Sequence, residues 1–240
     1  MKNIRRASLI AALITAAVVF VGIGSVFTLA KPQANLTLEQ AAKLKFRVSV
    51  KHAPFDIPVN YSYTDYSYLK KWPHPSQGEI NGTERREVDY IKVIALLPDM
   101  SPYTSENAAE FEAPGWGKKV KVLFGHKRHF HWDSYIKSRP EQIKSSELPN
   151  MLEYWGLTKS TTVFVSSDHM VKIECSMPKA VLYPSCTVMR PYKYKTETGA
   201  TIHPEFFITY HFSRDYIQQW HGIDKKVEVL IDQFAASAQN

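Results

Sequence analysis

The sequence predicts an α+β protein, in which an antiparallel β-sheet built as a meander is covered on one face by helices. Three observations predict this fold class. Residues 161–212 alternate apolar and polar side chains between turn signals, as neighbouring antiparallel strands do. Residues 216–234 repeat apolar side chains at three- and four-residue spacing, which predicts an amphipathic C-terminal helix. Residues 7–30 carry no charge, which predicts an N-terminal transmembrane helix.

The uncharged N-terminal segment indicates where the rest of the chain lies. As a helix, residues 7–30 would span about 36 Å, which is enough for a hydrocarbon core of about 30 Å. Residues 1–6 contain three basic side chains, so this flank should stay in the cytoplasm. We therefore predict a single-pass protein of the inner membrane, anchored through residues 7–30, with its C-terminal domain in the periplasm.

Two alternatives to a retained anchor stay open. A cleaved signal peptide also fits, because residues 9–21 have the length of a signal-peptide core and residues 28–30 form a small-x-small cleavage site. In that case the mature chain is periplasmic. The other alternative is a buried core helix. The apolar run continues up to Lys31, which favours the retained anchor.

Composition predicts a single packed domain over residues 31–240, with a sub-division near residues 145–158 as an alternative. The chain is 44% hydrophobic and 12% aromatic, which favours a packed core over disorder. Its formal charge is +7, and the leader, residues 1–30, contributes three positive charges and no acid, which leaves +4 on the domain. That mild excess gives no support for nucleic-acid binding.

The elements predicted before residue 161 are short. Thr37 and Gln40 form a capping box that begins a brief helix, and Gly115 and Gly117 predict a tight turn that holds Trp116. The predicted elements in this part are helices over 38–44, 105–111 and 138–154 and strands over 46–50, 87–97 and 118–124.

Residues 61–68 alternate tyrosine with small polar residues. Such a stripe is typical of one packed face of a strand. The alternative is a patch that binds a partner or a membrane interface, because tyrosine offers a large contact area with a polar tip at low entropic cost.

The meander contains both cysteines. Strands are predicted over residues 161–165, 170–177, 183–190 and 205–212. A turn over residues 178–182 would place Cys175 and Cys186 opposite each other on neighbouring strands. In an oxidising compartment they would form a disulfide, which stabilises by about 2–3 kcal/mol for so short a loop. Two buried thiols are the alternative.

The C-terminal helix is predicted to begin after Ser213, whose side chain caps it, and to lie on the sheet with its apolar face. Gly222 inside this helix costs about 1 kcal/mol relative to alanine. We therefore expect a close contact at Gly222.

No catalytic motif is specific enough to predict an enzyme. Ser-x-x-Lys occurs at Ser67 and at Ser134, and so loose a pattern carries little information. His129 and His131 would share a strand face near His126, but a metal site needs a further ligand, such as Asp133 or His169. The alternative is a solvent-facing basic strand. We predict no enzyme activity, no cofactor and no metal.

Two stretches resemble a known group of proteins. The first comprises residues 97–102, 106–107, 110–111 and 115–117, and the second residues 212–214, Trp220, residues 223–224, residues 230–231 and Phe234. Together they resemble uncharacterised envelope proteins of Gram-negative bacteria, some of which look like periplasmic immunity proteins of type VI secretion phospholipase effectors. The resemblance covers about a fifth of the chain and includes no catalytic residue.

This resemblance implies a binding protein that blocks a secreted antibacterial toxin stoichiometrically. Inhibitory interfaces typically use aromatic anchors, so the implied contact residues are Tyr61, Tyr63, Tyr66, Tyr68, Trp72 and Trp116. Each is also a plausible core residue. A structural component of an envelope or secretion assembly is the main alternative function, and an envelope enzyme is the third.

Overall fold

The computed structural model describes residues 42–62, 84–126, 142–143, 146–156, 159–194 and 206–239. Within these ranges no helix is both long and apolar enough to cross a bilayer. The predicted transmembrane segment, residues 7–30, lies outside the described residues, as does most of the predicted helix over 38–44.

The described residues form one large antiparallel sheet and one small sheet. The large sheet has the strand order β4-β5-β11-β10-β9-β8-β7-β6, and every neighbouring pair is antiparallel. Its strands are β4 (Tyr90–Leu96), β5 (Lys119–His126), β6 (Gln142–Ile143), β7 (Met151–Trp155), β8 (Thr161–Ser166), β9 (Lys172–Ser176), β10 (Ser185–Tyr192) and β11 (Phe206–Ser213). Strands β6 to β10 run in sequence order, so the predicted meander is confirmed.

The small sheet has the order β2-β1-β3, and its strands are β1 (Lys45–Val50), β2 (Ala53–Pro58) and β3 (Arg86–Glu87). Strands β1 and β2 form an antiparallel hairpin, and β3 pairs with β1 in parallel. Arg85 precedes β3 and joins two parts of the fold, because it donates to Asp56 at 2.6 Å and to the carbonyl of Ala238 at 2.9 Å.

Residues 42–43 are helical, and the described fold further contains the α-helices α1 (Ala108–Glu112) and α2 (Trp220–Ser237). A 3-10 turn over Arg214–Gln219 leads into α2. Ser213 caps this turn by accepting a hydrogen bond from the backbone N–H of Asp215, so the predicted cap is confirmed, although the α-helix itself begins six residues later than a cap at Ser213 implies. The first 3-10 turn in chain order covers Val59–Ser62.

The main core lies on one face of the large sheet, which we call the inner face. The apolar side of α2 and the hairpin β1–β2 both cover this face. Phe55 of β2, for example, packs edge-on against Phe124 of β5 with ring centroids 5.0 Å apart. The buried side of α2 consists of Trp220, Ile223, Val227, Leu230, Ile231, Phe234 and Ala235. On the opposite face, α1 covers the end of β4 through Phe111, next to Ile94 and Leu96.

A polar contact fixes α2 on the inner face. Arg190 of β10 is almost fully buried and donates to Asp224 at 2.6 Å and to Glu228 at 3.0 Å. Burial alone would lower the pKa of Arg190, but the negative charges and hydrogen bond of these partners raise it. Further along, the hydroxyl of Tyr192 donates to Asp232, and burial followed by this hydrogen bond raises the pKa of Tyr192. Asp224, Glu228 and Asp232, which are spaced by one helical turn, therefore fix the position of α2 on the sheet.

The prediction of an α+β fold with an antiparallel sheet and an amphipathic C-terminal helix is confirmed. The prediction of a helix over residues 138–154 is wrong, because residues 142–143 and 151–155 are strands β6 and β7. Strand β7 forms backbone hydrogen bonds with β8 and buries side chains on both faces, a pattern that polarity and proline positions did not reveal. The cover of the inner face is also not helical throughout, because the small sheet forms part of it.

Candidate functional site

The candidate site lies at one end of the large sheet, where β4, β9 and β11 finish and β5 and β10 begin. Three connections meet there: residues 97–118, residues 177–184 and the 3-10 turn after β11. We call this region the loop end. Arg214 crosses it, since its guanidinium donates to Thr162 at 3.2 Å, to the carbonyl of Ser176 at 3.1 Å and to Glu147 at 2.7 Å.

The β9–β10 connection is closed by the predicted disulfide. Cys175 and Cys186 are direct cross-strand partners and are joined with an S–S distance of 2.02 Å. Both are fully buried on the inner face. The disulfide prediction is therefore confirmed, and the geometry that the sequence predicted, two opposed strands around a short loop, is the one observed.

Backbone hydrogen bonds hold the loop 177–184 at both ends. The N–H of Met177 donates to Ser160 at 2.8 Å, and the N–H of Arg214 donates to the carbonyl of Pro184 at 3.0 Å. The N–H of Ser185 donates to the hydroxyl of Ser176 at 2.9 Å. The loop therefore has fixed ends on three neighbouring segments.

Between these fixed ends the loop presents three consecutive apolar side chains to solvent. Leu182 is 83% exposed, Val181 is 47% exposed and Tyr183 is 46% exposed. We call residues 181–183 the apolar tip. Scattered single apolar residues are normal on a protein surface, but adjacent ones form a patch, and such patches are typical of binding sites.

The turn that contains Trp116 lies directly beside the apolar tip. Gly115 has a positive φ of 75°, and a Cβ at this position would lie 2.4 Å from Cδ1 of Tyr183. Only glycine allows this approach. The indole ring of Trp116 stacks on the imidazole of His211, with ring centroids 5.8 Å apart. The predicted tight turn is confirmed, and it brings Trp116 next to the tip.

His211 is a neutral residue in this site at pH 7. Its Nδ1 lies 2.9 Å from the hydroxyl of Thr187. Burial first, and the positive charge of Lys121 second, lower its pKa to about 4. Nearby, the buried ammonium of Lys119 donates to the carbonyls of Phe111 and Ala113, which satisfies the C-terminal end of α1.

A cavity of about 270 Å³ lies at the loop end, against the first turn of α2. Its lining includes Leu97, Pro98, Lys118, Tyr216, Gly222 and Ile223. The expectation of a close contact at Gly222 is wrong, because a Cβ there would meet no atom within 4 Å. Lys226 closes one side by donating to the carbonyl of Pro98 at 2.6 Å. The two stretches on which the sequence resemblance rests therefore meet at this cavity.

Of the six predicted contact residues, the structure describes two. Trp116 is half-buried at the loop end. Tyr61 lies in the first 3-10 turn, where its ring packs edge-on against Phe234 and its hydroxyl donates to the carbonyl of Met100 at 3.0 Å; burial raises its pKa. Tyr63, Tyr66, Tyr68 and Trp72 lie outside the described residues, and a partner-binding role for all six stays a prediction.

The apolar tip is what sequence reasoning missed. The sequence pattern predicts only a turn over residues 178–182 and places Tyr183 in the following strand. The available signal was three large apolar residues in a short loop between two cysteines, where polar residues are expected.

The candidate metal ligands His129, His131 and Asp133 lie outside the described residues. Among the described residues, no group of three His, Cys, Asp or Glu side chains could hold a metal ion.

No protein-family model and no curated protein matches this sequence. The fold is similar to that of Smlt3025, an immunity protein of the Stenotrophomonas maltophilia type IV secretion system. The alignment covers 80% of this chain and 94% of the other, with a TM-score of 0.51 and 9% sequence identity. At so low an identity, the similarity is one of fold.

Proposed function

We propose that this chain is an immunity protein, which binds a secreted antibacterial toxin stoichiometrically and blocks it without catalysis. The observation that carries the proposal is the apolar tip, an exposed patch on a loop whose ends are fixed by a disulfide and by backbone hydrogen bonds. The similarity in fold to a secretion-system immunity protein supports the same function.

The physical basis is that binding by a rigid surface loses little conformational entropy. Ordering a flexible loop opposes association, so a loop that is already held in place contributes more of its contact energy to affinity. Apolar and aromatic side chains are enriched among residues that dominate binding energy. The loop end provides both features, together with the half-buried Trp116 beside the tip.

We further propose that the protein acts in the periplasm, tethered to the inner membrane through residues 7–30. The charge pattern of the leader supports this topology. A disulfide supports it too, since disulfides persist in the periplasm and are rare in the cytosol.

The toxin that we propose is a lipase-like effector of a type VI secretion system, on the basis of the sequence resemblance. The protein of similar fold belongs to a type IV system, so the delivery route needs a direct test. The experiment is to direct lipase toxins of both systems, including any encoded next to this gene, to the periplasm of sensitive cells. Survival is then compared with and without the full chain.

Protection by the full chain, and none by a chain that lacks residues 1–30, is the expected result. Purified toxin and full chain in detergent should then form a 1:1 complex in which lipase activity is lost. A chain that protects against no toxin, yet co-purifies with several envelope proteins, would instead favour a structural component of an envelope assembly. Turnover of a lipid or peptidoglycan substrate by the chain itself would contradict both functions.

A further inference from the structure

The apolar tip is exposed to solvent in the folded chain. Residues 181–183 are Val, Leu and Tyr, and each leaves close to half or more of its surface in water. Leaving one such side chain exposed forgoes about 1.5–3 kcal/mol of burial free energy. The loop holds this conformation through its own hydrogen bonds, including the one from Ala180 N–H to the Met177 carbonyl at 2.9 Å.

The tip is also supported from beneath by a neighbouring turn. The ring of Tyr183 lies against the backbone of Gly115, where a side chain would not fit. That turn is itself fixed by the stacking of Trp116 on His211 and by the hydrogen bond from Lys119 N–H to the Trp116 carbonyl at 2.8 Å. The tip is therefore a preformed convex surface, which fits a concave one.

The loop that bears the tip has a positive charge. Lys179 is the one charged residue of the loop 177–184, and it is exposed. On the neighbouring turn, Lys118 pairs with Glu110 at 3.0 Å, and Lys119 is buried under α1. The charge that the loop presents beside the tip is therefore that of Lys179, and a carboxylate complements it.

We propose that the apolar tip enters an apolar pocket on the toxin, with Lys179 facing a carboxylate at the rim of that pocket. This inference rests on the proposed function and names the surface that performs it. A lipase-like toxin would offer a pocket of this chemistry, because a site that takes an acyl chain is an apolar cleft.

The test replaces Leu182 by Asp in the full chain and uses the toxin that the wild-type chain neutralises. Leu182 is mostly exposed, so the variant should keep the melting temperature of the wild type. Its binding should be weaker by at least thirtyfold, since a carboxylate would be buried where an apolar anchor was, and protection of cells should be lost.

Met170→Asp is the matched control. Met170 is 47% exposed in the turn between β8 and β9, at the opposite end of the large sheet, and it receives the same chemical change. This variant should bind within twofold of the wild type.

Lys179→Glu should weaken binding about three- to tenfold at low salt and much less at 0.5 M salt, because an exposed rim charge acts through a screened interaction.

Equal binding and protection by wild type and Leu182→Asp would overturn the inference and leave the proposed function intact. If the wild-type chain neutralises no toxin, the proposed function fails, and a separate crosslinking experiment tests whether the tip is a docking surface. A photo-crosslinking residue is then placed at position 182 or 170 of the full chain in native envelopes. A protein adduct at position 182 alone, whose purified partner binds Val181→Asp at least tenfold more weakly, supports the apolar tip as the docking surface and assigns it to a partner other than a toxin. An adduct with a second copy of the chain, an adduct with lipid, or no adduct at all overturns it.

Discussion

The turn around Trp116 contains two glycines that differ in why a side chain is excluded. Gly115 and Gly117 both have positive φ, of 75° and 49°, but a Cβ would strike Tyr183 only at Gly115. At Gly117 it would meet nothing within 4 Å. The first position therefore carries a steric requirement in addition to the backbone one.

We expect Gly115→Ala to destabilise the domain by about 2–4 kcal/mol, and Gly117→Ala by about 1 kcal/mol, which is the backbone term alone. Urea denaturation of residues 31–240 measures both. Because Tyr183 would be displaced, Gly115→Ala should also weaken toxin binding beyond its effect on folding. Equal losses of stability in the two variants would contradict the contact between Gly115 and Tyr183.

His211 predicts a pH dependence of stability. Its pKa is about 4 in the folded chain, below the value of about 6.5 expected when unfolded, so the folded chain binds fewer protons between these limits. The free energy of unfolding therefore has its full value, as far as His211 is concerned, above pH 6.5. It decreases as the pH falls toward 4, by about 1.4 kcal/mol per pH unit.

The difference between wild type and His211→Gln isolates this contribution, since the carboxylates titrate in both. The wild type should lose about 2 kcal/mol more than His211→Gln between pH 7 and pH 5. An NMR titration of the imidazole provides a second measurement. An imidazole that titrates near 6.5 would show that His211 is not desolvated in solution.

At the scale of elements, the contact between β10 and α2 depends on one buried cation with two unequal partners. The side chain of Asp224 is 19% exposed and that of Glu228 is 48% exposed, and both accept from Arg190. An exposed partner contributes little, whereas removing a buried one leaves a desolvated charge. Asp224 also adjoins the fully buried Tyr210, whose pKa is raised well above its usual value by burial and then by the Asp224 charge.

We therefore expect Asp224→Ala to lower the free energy of unfolding by about 2–4 kcal/mol, and Glu228→Ala by less than about 1 kcal/mol. Chemical denaturation of both variants at pH 7 measures the difference. The register of α2 carries the first turn of the helix to the loop end, so Asp224→Ala should also perturb the cavity at Gly222. Similar losses in the two variants would mean that Arg190 is better hydrated than its burial implies.

At the scale of the whole molecule, the leader and the disulfide make one joint prediction. Full-length chain should fractionate with the inner membrane, and after denaturation its cysteines should resist alkylation until a reductant is added. Deleting residues 1–30 should leave the chain in the cytosol with both thiols open to alkylation after denaturation. Alkaline phosphatase fused to the C-terminus should be active only with the leader present. Reactive thiols in the full-length chain would contradict export.

Local patterns predicted the parts of the fold in which sequence periodicity and spacing coincide with tertiary contacts. The meander strands alternate because one face is buried, and α2 repeats every three to four residues because one side packs on the sheet. The Cys175–Cys186 pair followed from the same strand register. For these elements a short window of sequence contains the physical cause.

Other features depend on contacts between distant segments, so a short window could not contain them. The polar sequence around strand β7 predicts a helix, but pairing with β8 determines its conformation as a strand. The hairpin β1–β2 covers part of the inner face because it packs against β5 and α2, which are distant from it in sequence. The candidate site is the clearest case: Gly115 and Tyr183 are 68 positions apart in sequence, and their contact, which makes the tip a rigid surface, exists only after the sheet has brought the two loops to the same end.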